Sequence, residues 1–169
     1  MPGREPAPSS RPYKTAVAYR FRWFYVIERW IASAGSVLDP EGIRLRLDLD
    51  ASPEELGAAV KRALEVSRFM QGDSPLYGRL FDAALQMTPD EVAAPFLEMA
   101  PVKTRHSLYR DAKSCGLRLQ DGRIEIMPTK RDGPGGWVGL HGVEPLCISE
   151  ASDAAEIGRA LLRAFDLAQ

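Results

Sequence analysis

The 169-residue chain sets 22 Lys and Arg against 23 Asp and Glu, for a formal net charge of -1, and is 45% hydrophobic. That composition fits one globular domain with its own core; it excludes a wholly disordered chain and a globally basic nucleic-acid binder. No apolar run approaches the roughly 20 residues that a bilayer-spanning helix needs, which excludes a helical membrane span.

Residues 1–13 hold Pro2, Pro6, Pro8 and Pro12 with almost no bulky apolar side chain. They lack both the apolar core of a signal peptide and the surface to offset ordering entropy, so they read as a disordered tail before a single domain at 14–169. Residues 19–27 alternate, with Tyr19, Phe21, Trp23, Tyr25 and Ile27 on one side, and read as one aromatic-rich strand. Trp30 and Ile31 lead into a turn through Gly35 and Asp39-Pro40. The next strand is amphipathic: Ile43, Leu45, Leu47 and Leu49 face one way, Arg44, Arg46, Asp48 and Asp50 the other. Ser52-Pro53-Glu54-Glu55 then opens a helix with a Ser cap, Pro at the first position and carboxylates at the positive dipole end. Its stripe of Leu56, Val60, Ala63, Leu64 and Ser67 packs on the sheet.

Between 71 and 102 the pattern is harder to assign. Leu76, Leu80, Phe81, Ala84 and Leu85 suggest a helix and Thr88-Pro89-Asp90-Glu91 another capped start, but Pro95 and Pro101 interrupt the run after that cap. Residues 103–113 read as a short helix with Leu108 and Ala112 inward. Asp121-Gly122 is a two-residue hairpin connection, because both central positions need positive φ. That turn sets Gln120 opposite Arg123, Leu119 opposite Ile124, Arg118 opposite Glu125 and Leu117 opposite Ile126, so apolar pairs fall on one face and the ion pair on the other. Residues 129–142, with Gly133, Gly135, Gly136, Gly139 and Gly142 around Trp137, read as a long irregular loop. A short strand at 146–148 and a helix at 153–167, with Ile157, Leu161, Ala164, Phe165 and Ala168 on one stripe, close the chain.

The pattern of residues 55–64, opening Glu55-Leu56-Gly57, recurs in residues 156–165, opening Glu156-Ile157-Gly158, each time after a strand and a short acidic turn. The glycine in each first turn is expected to let its helix approach the sheet closely. The fold class is therefore α+β: a mostly antiparallel sheet of about five strands with helices packed on it, and a strand-helix unit used twice.

The order of several pieces resembles the immunity proteins of contact-dependent growth inhibition, the CdiI family. These pieces are Glu54-Glu55-Leu56-Gly57 through Ser67-Arg68, Lys103-Thr104, residues 114–128, Trp137 and Glu156-Ile157-Gly158. The residues before Tyr13 depart from the pattern. The resemblance implies a cytoplasmic protein that binds the C-terminal toxin domain of a CdiA-type protein, in many cases a nuclease, and neutralises it by covering its active site or blocking substrate access. It implies no catalysis, no cofactor, no membrane and no direct nucleic-acid contact.

Candidate chemistry is sparse. Cys115 and Cys147 lack the spacing of a disulfide framework or a zinc site and sit in apolar strands, which reads as two buried thiols in a reducing compartment. A hydrolase would need His106 or His141 beside a thiol or carboxylate. The glycine-rich stretch carries neither a Walker pattern nor a GxGxxG opening a helix. Surfaces are more informative. Asp48, Asp50 and Glu54 form an acidic rim suited to a basic toxin, although helix capping also accounts for them. Lys130, Arg131, Asp132 and His141 lie in the glycine-rich stretch near Trp137, an aromatic anchor of the kind found at binding hot spots, and Lys103 and Arg105 on the preceding helix extend the basic set. Together these ten residues are the candidate toxin-binding set. The basic members leave a second reading open, a small RNA-binding protein.

Overall fold

The computed structural model describes residues 12–32, 36–70, 73–133 and 136–169. Of the expected tail only Pro12 and Tyr13 fall within these residues, and Gly35, Gln71 and Gly135 lie outside them.

β1 (Lys14–Arg20) and β2 (Phe24–Ala32) form an antiparallel hairpin with Ala18 opposite Ile27. This corrects the single strand expected over 19–27. The chain reverses at Arg22-Trp23, where Phe21 N–H bonds Phe24 O at 2.9 Å. Tyr19, Phe21, Phe24 and Val26 therefore share one core cluster, while Tyr25 and Ile27 enter another on the opposite face. β3 (Ser36–Leu38) and β4 (Arg44–Asp48) both add to β2. Leu45 and Leu47 pack inward as the amphipathic pattern requires; Leu49 lies past the strand end and is exposed.

α1 (Pro53–Glu65) opens on a reciprocal cap: the Ser52 hydroxyl accepts Glu55 N–H and the Glu55 carboxylate accepts Ser52 N–H. β5 (Arg68–Phe69) runs parallel to β2. The unassigned stretch then resolves into α2 (Pro75–Gln86) and α3 (Pro89–Met99), each with Pro in its first turn, and α3 continues through Pro95. α4 (Arg105–Tyr109) is shorter than the helix expected over 103–113, because Asp111 takes a φ of 61° and β6 (Lys113–Gln120) begins directly after Ala112.

β6 and β7 (Arg123–Asp132) pair in the register that the Asp121-Gly122 turn demands, with φ of 50° and 74° at those two residues. β7 then runs on to pair with β8 (Gly136–Gly139), Arg131 opposite Trp137, so the expected irregular loop at 129–142 is largely a second hairpin. Gly136 serves close approach, since a Cβ there would stand 2.4 Å from Asp132 O, whereas Gly133 and Gly142 supply turn positions with φ of 71° and 76°. β9 (Leu146–Ser149) adds to β7, and α5 (Ala154–Leu167) follows from its Asp153 cap.

Nine strands are described where about five were expected, and a repeat accounts for eight of them. β1–β2–β3–β4–α1 is matched by β6–β7–β8–β9–α5, with β5 to α4 inserted between. Ile27 pairs Ala18 and Leu45, just as Ile126 pairs Leu117 and Leu146; Ile31 pairs Val37 as Lys130 pairs Val138. The two units meet along β1 and β6, where Ala16–Leu117 and Ala18–Cys115 flank the Val17–Gly116 pair symmetrically. α1 and α5 lie side by side over this face of the sheet, burying Ile27, Leu117, Ile124 and Ile126. The glycines of the echoed motif stand where these helices cross, not against the sheet as expected. On the other face, α3 and α4 cover Tyr19, Phe21, Phe24 and Val26 through Phe96, Leu108 and Tyr109.

Candidate functional site

The inserted helices and the end of β7 enclose an open cleft of about 720 Å³. α3 supplies Asp90 and Leu97; Lys103 and Thr104 lead into α4, which supplies Arg105, His106 and Tyr109; Arg110 and Arg131 complete the wall. Thr104 fixes the start of α4 by accepting Ser107 N–H at 3.2 Å. Arg105 Nε donates to the Asp90 carboxylate, tying α4 to α3. Against that one acid stand Lys103, Arg105, Arg110 and Arg131, so the cleft carries a positive potential suited to an acidic partner surface.

Arg131 is held by aromatic faces. Its guanidinium lies 4.5 Å from the Tyr109 ring centre and 5.5 Å from that of Trp137. Trp137 in turn meets Tyr19 and Tyr109 edge-on. Burial pushes the Tyr109 phenol up to about 12 despite the opposing pull of Arg131, so it stays a neutral donor across the physiological range. The indole is half-buried, which gives it both support and a free edge, as an interface anchor needs.

Of the ten candidate residues, the structure brings Lys103, Arg105 and Arg131 into the cleft and seats Trp137 against Arg131. Lys130 and Asp132 alternate with Arg131 along β7, point to the other side of the strand and are exposed. His141 is exposed on the turn after β8. Asp48, Asp50 and Glu54 belong to the β4–α1 junction and do not line the cleft; Asp48 is engaged by Arg46 at 2.7 Å. The candidate set lacked Asp90, Leu97, Thr104, His106, Tyr109 and Arg110, whose recruitment depends on how α3 and α4 fold over the sheet.

Cys115, Cys147, His106 and His141 lie on β6, on β9, on α4 and on the turn after β8 respectively. Cys115 is buried beneath α1 and α5, with its thiol pushed up to about 12 by burial. Cys147 is exposed, which corrects the expectation of two buried thiols: on edge strand β9, Leu146 and Ile148 face the helices and Cys147 faces away. His106 shares its cleft with cations and with an Asp90 already engaged by Arg105. Among the described residues no group of three or more His, Cys, Asp or Glu could hold a metal ion, and no helix is long and apolar enough to cross a membrane.

The model of the CDI immunity protein family, CdiI, matches residues 14–168. The chain is 28% identical over 151 residues to the immunity protein CdiI-YPIII of Yersinia pseudotuberculosis serotype O:3, covering 82% of this chain and 85% of that one. Its fold resembles a protein of unknown function from Neisseria meningitidis, with a TM-score of 0.86, 23% identity and coverage of 94% and 96% of the two chains. It also resembles a chain of a CdiA-CT/CdiI toxin and immunity complex from Yersinia pseudotuberculosis, with a TM-score of 0.77, 23% identity and coverage of 94% and 99%.

Proposed function

The chain belongs to the CDI immunity protein family, and from that premise we propose that it binds the C-terminal toxin domain of a CdiA-type protein and neutralises it by occlusion. The observation that carries this reading is the family match across nearly the whole domain. A cationic, aromatic-backed cleft supports it, since such a cleft suits a macromolecular partner. The immunity protein acts in the cytoplasm, performs no chemistry and binds one toxin domain through an interface of about 1,200–2,000 Å². Its binding surface centres on Lys103, Arg105, Arg131 and Trp137, with Lys130, Asp132 and His141 at the rim. The acidic set Asp48, Asp50 and Glu54 forms a separate patch at the β4–α1 junction. The toxin is a nuclease whose acidic surface elements meet the cleft.

Co-expression with the toxin domain encoded beside this chain is the test. The expected result is restored growth and a one-to-one complex that survives gel filtration. Continued killing by the toxin, or two soluble proteins that never co-elute, would overturn the reading.

A further inference from the structure

The repeated unit is covered unequally. In the first unit, Tyr19, Phe21, Phe24 and Val26 point to the sheet face opposite α1 and α5, and α3 and α4 lie on them. The strand pairings make Arg118, Gln120, Arg123 and Glu125 the matching positions of the second unit. These are polar, and no element of the described chain lies on them as α3 and α4 lie on the first unit. Two of them, Arg118 and Glu125, line an open groove of about 550 Å³ that runs along the seam of the two units across β1, β6 and β7.

The groove has largely apolar walls and a floor whose threonines are engaged. Tyr13, Trp30, Met127 and Trp137 line it, and Met127 is 42% exposed. The two threonine hydroxyls of the floor are already used within the fold: Thr15 Oγ1 donates to Leu117 O at 3.0 Å and Thr129 Oγ1 to Ser114 O at 2.8 Å. A small polar ligand would find few free partners there, whereas an apolar side chain set among the aromatic walls would bury area without leaving polar groups unpaired. Arg118 and Glu125 stand at one end as opposite charges.

The groove is continuous with the basic cleft. Trp137 forms its wall on one side, and the Arg131 guanidinium packed on the same indole belongs to the cleft. We propose that one toxin domain spans both concavities across the Trp137 ridge, and that a short segment of it, carrying an apolar anchor, seats in the groove along the β1–β6 seam, beside the face that α3 and α4 cover. This rests on the reading of the chain as an immunity protein, and it adds Tyr13, Trp30, Gly116 and Met127 to the surface that recognises the toxin.

Gly116 gives a direct test, because it lies in the floor and a Cβ there would meet only Met127 Cβ, at 3.9 Å. Gly116→Phe fills the groove from within the sheet, and titration against a catalytically inactivated toxin domain reads the effect. The expected result is about a 100-fold weaker Kd with an undiminished thermal midpoint. Met127→Glu should weaken binding in the same direction, and it alone decides the matter if Gly116→Phe fails to fold. Gly78→Ala on α2, where a Cβ would meet nothing within 4 Å, should bind as the unaltered chain does. Unchanged affinity in folded Gly116→Phe and Met127→Glu would overturn the proposal while leaving toxin binding intact. An unaltered chain that binds no toxin would instead remove the family reading beneath it.

Discussion

Gly57 and Gly158 make room for each other's helix: a Cβ on Gly57 would stand 1.7 Å from Ala154 O, and a Cβ on Gly158 would stand 1.7 Å from Pro53 O. Each glycine of the repeated motif lies against the first turn of the other copy. The helices thus cross at backbone distance, and this crossing locks the two units over their shared sheet face.

Alanine at either position would favour an isolated helix by about 1 kcal/mol. The obstacle is a backbone carbonyl, which cannot rotate away as a flexible side chain can, so the helices must move apart and loosen Leu56, Val60, Ile157 and Leu161. Gly57→Ala and Gly158→Ala are each expected to destabilise the domain by about 2–4 kcal/mol in urea titrations. The double variant should cost less than the two single costs together, because helices already parted by one methyl have room for the second. A strictly additive pair would argue against the shared crossing.

The β6–β7 hairpin is legible in the sequence because two independent signals agree: Asp121-Gly122 names the turn type, and cross-strand pairing tests the register. The caps of α1, α3 and α5 are equally local. The β1–β2 hairpin is hidden because Arg22-Trp23 has no turn residue and aromatic alternation continues through it. The cleft is hidden for another reason. Asp90, Arg105 and Arg131 lie far apart in sequence, and only the docking of α3 and α4 on Tyr19, Phe21 and Phe24 brings them together. Cys147 shows the limit of period-two reasoning, since alternation says that neighbours face opposite ways but not which face is covered.

Asp39 is a buried anchor between chain segments. Its carboxylate lies 2.9 Å from Arg29 Nε, accepts from Arg68 Nη2 at 2.9 Å, and accepts Glu41 N–H at 3.0 Å. Asp39→Ala takes the carboxylate from two partly exposed guanidinium groups, leaving Arg29 its bonds to Val66 O and Glu41 O and Arg68 its contact with Glu41. The expected loss is about 3 kcal/mol, at the lower end of the range for breaking a buried pair. Asp39→Asn keeps an acceptor for Glu41 and should melt between Asp39→Ala and the unaltered protein. A melt unchanged in Asp39→Ala would mean that the arginines find water as readily as they find Asp39.

Glu28 is a carboxylate set into the sheet, taking Arg44 Nε at 2.9 Å and Trp30 Nε1 at 3.2 Å. Burial raises its pKa above the ordinary value near 4.5, against the opposing pull of Arg44 and its hydrogen bonds. The folded chain therefore holds this proton more tightly than the unfolded one. Its contribution to stability is full below the unfolded pKa and is lost as pH rises through the raised folded value. Glu28→Gln cannot titrate. The stability of the variant relative to the unaltered protein should climb from pH 4 to pH 7, and parallel profiles would contradict the assignment.

Arg131 separates the toxin-binding reading from its RNA-binding rival. Held on Tyr109 and Trp137, it is the pre-oriented cation of the cleft. A charge placed so steers an acidic partner and fixes its register, so Arg131→Glu should slow toxin association, with the largest effect at low salt, and weaken the complex by at least about 10-fold. The Tyr109–Trp137 contact survives the change, so the melting temperature should move little. If the cleft served RNA, the unaltered protein would retain RNA on a filter at low salt and release it steeply as salt rises, with a slope set by the phosphates contacted. The immunity reading expects no retention at any salt. Salt-sensitive RNA retention that Arg131→Glu abolishes, together with unaltered toxin affinity in the same variant, would reverse the assignment of the cleft.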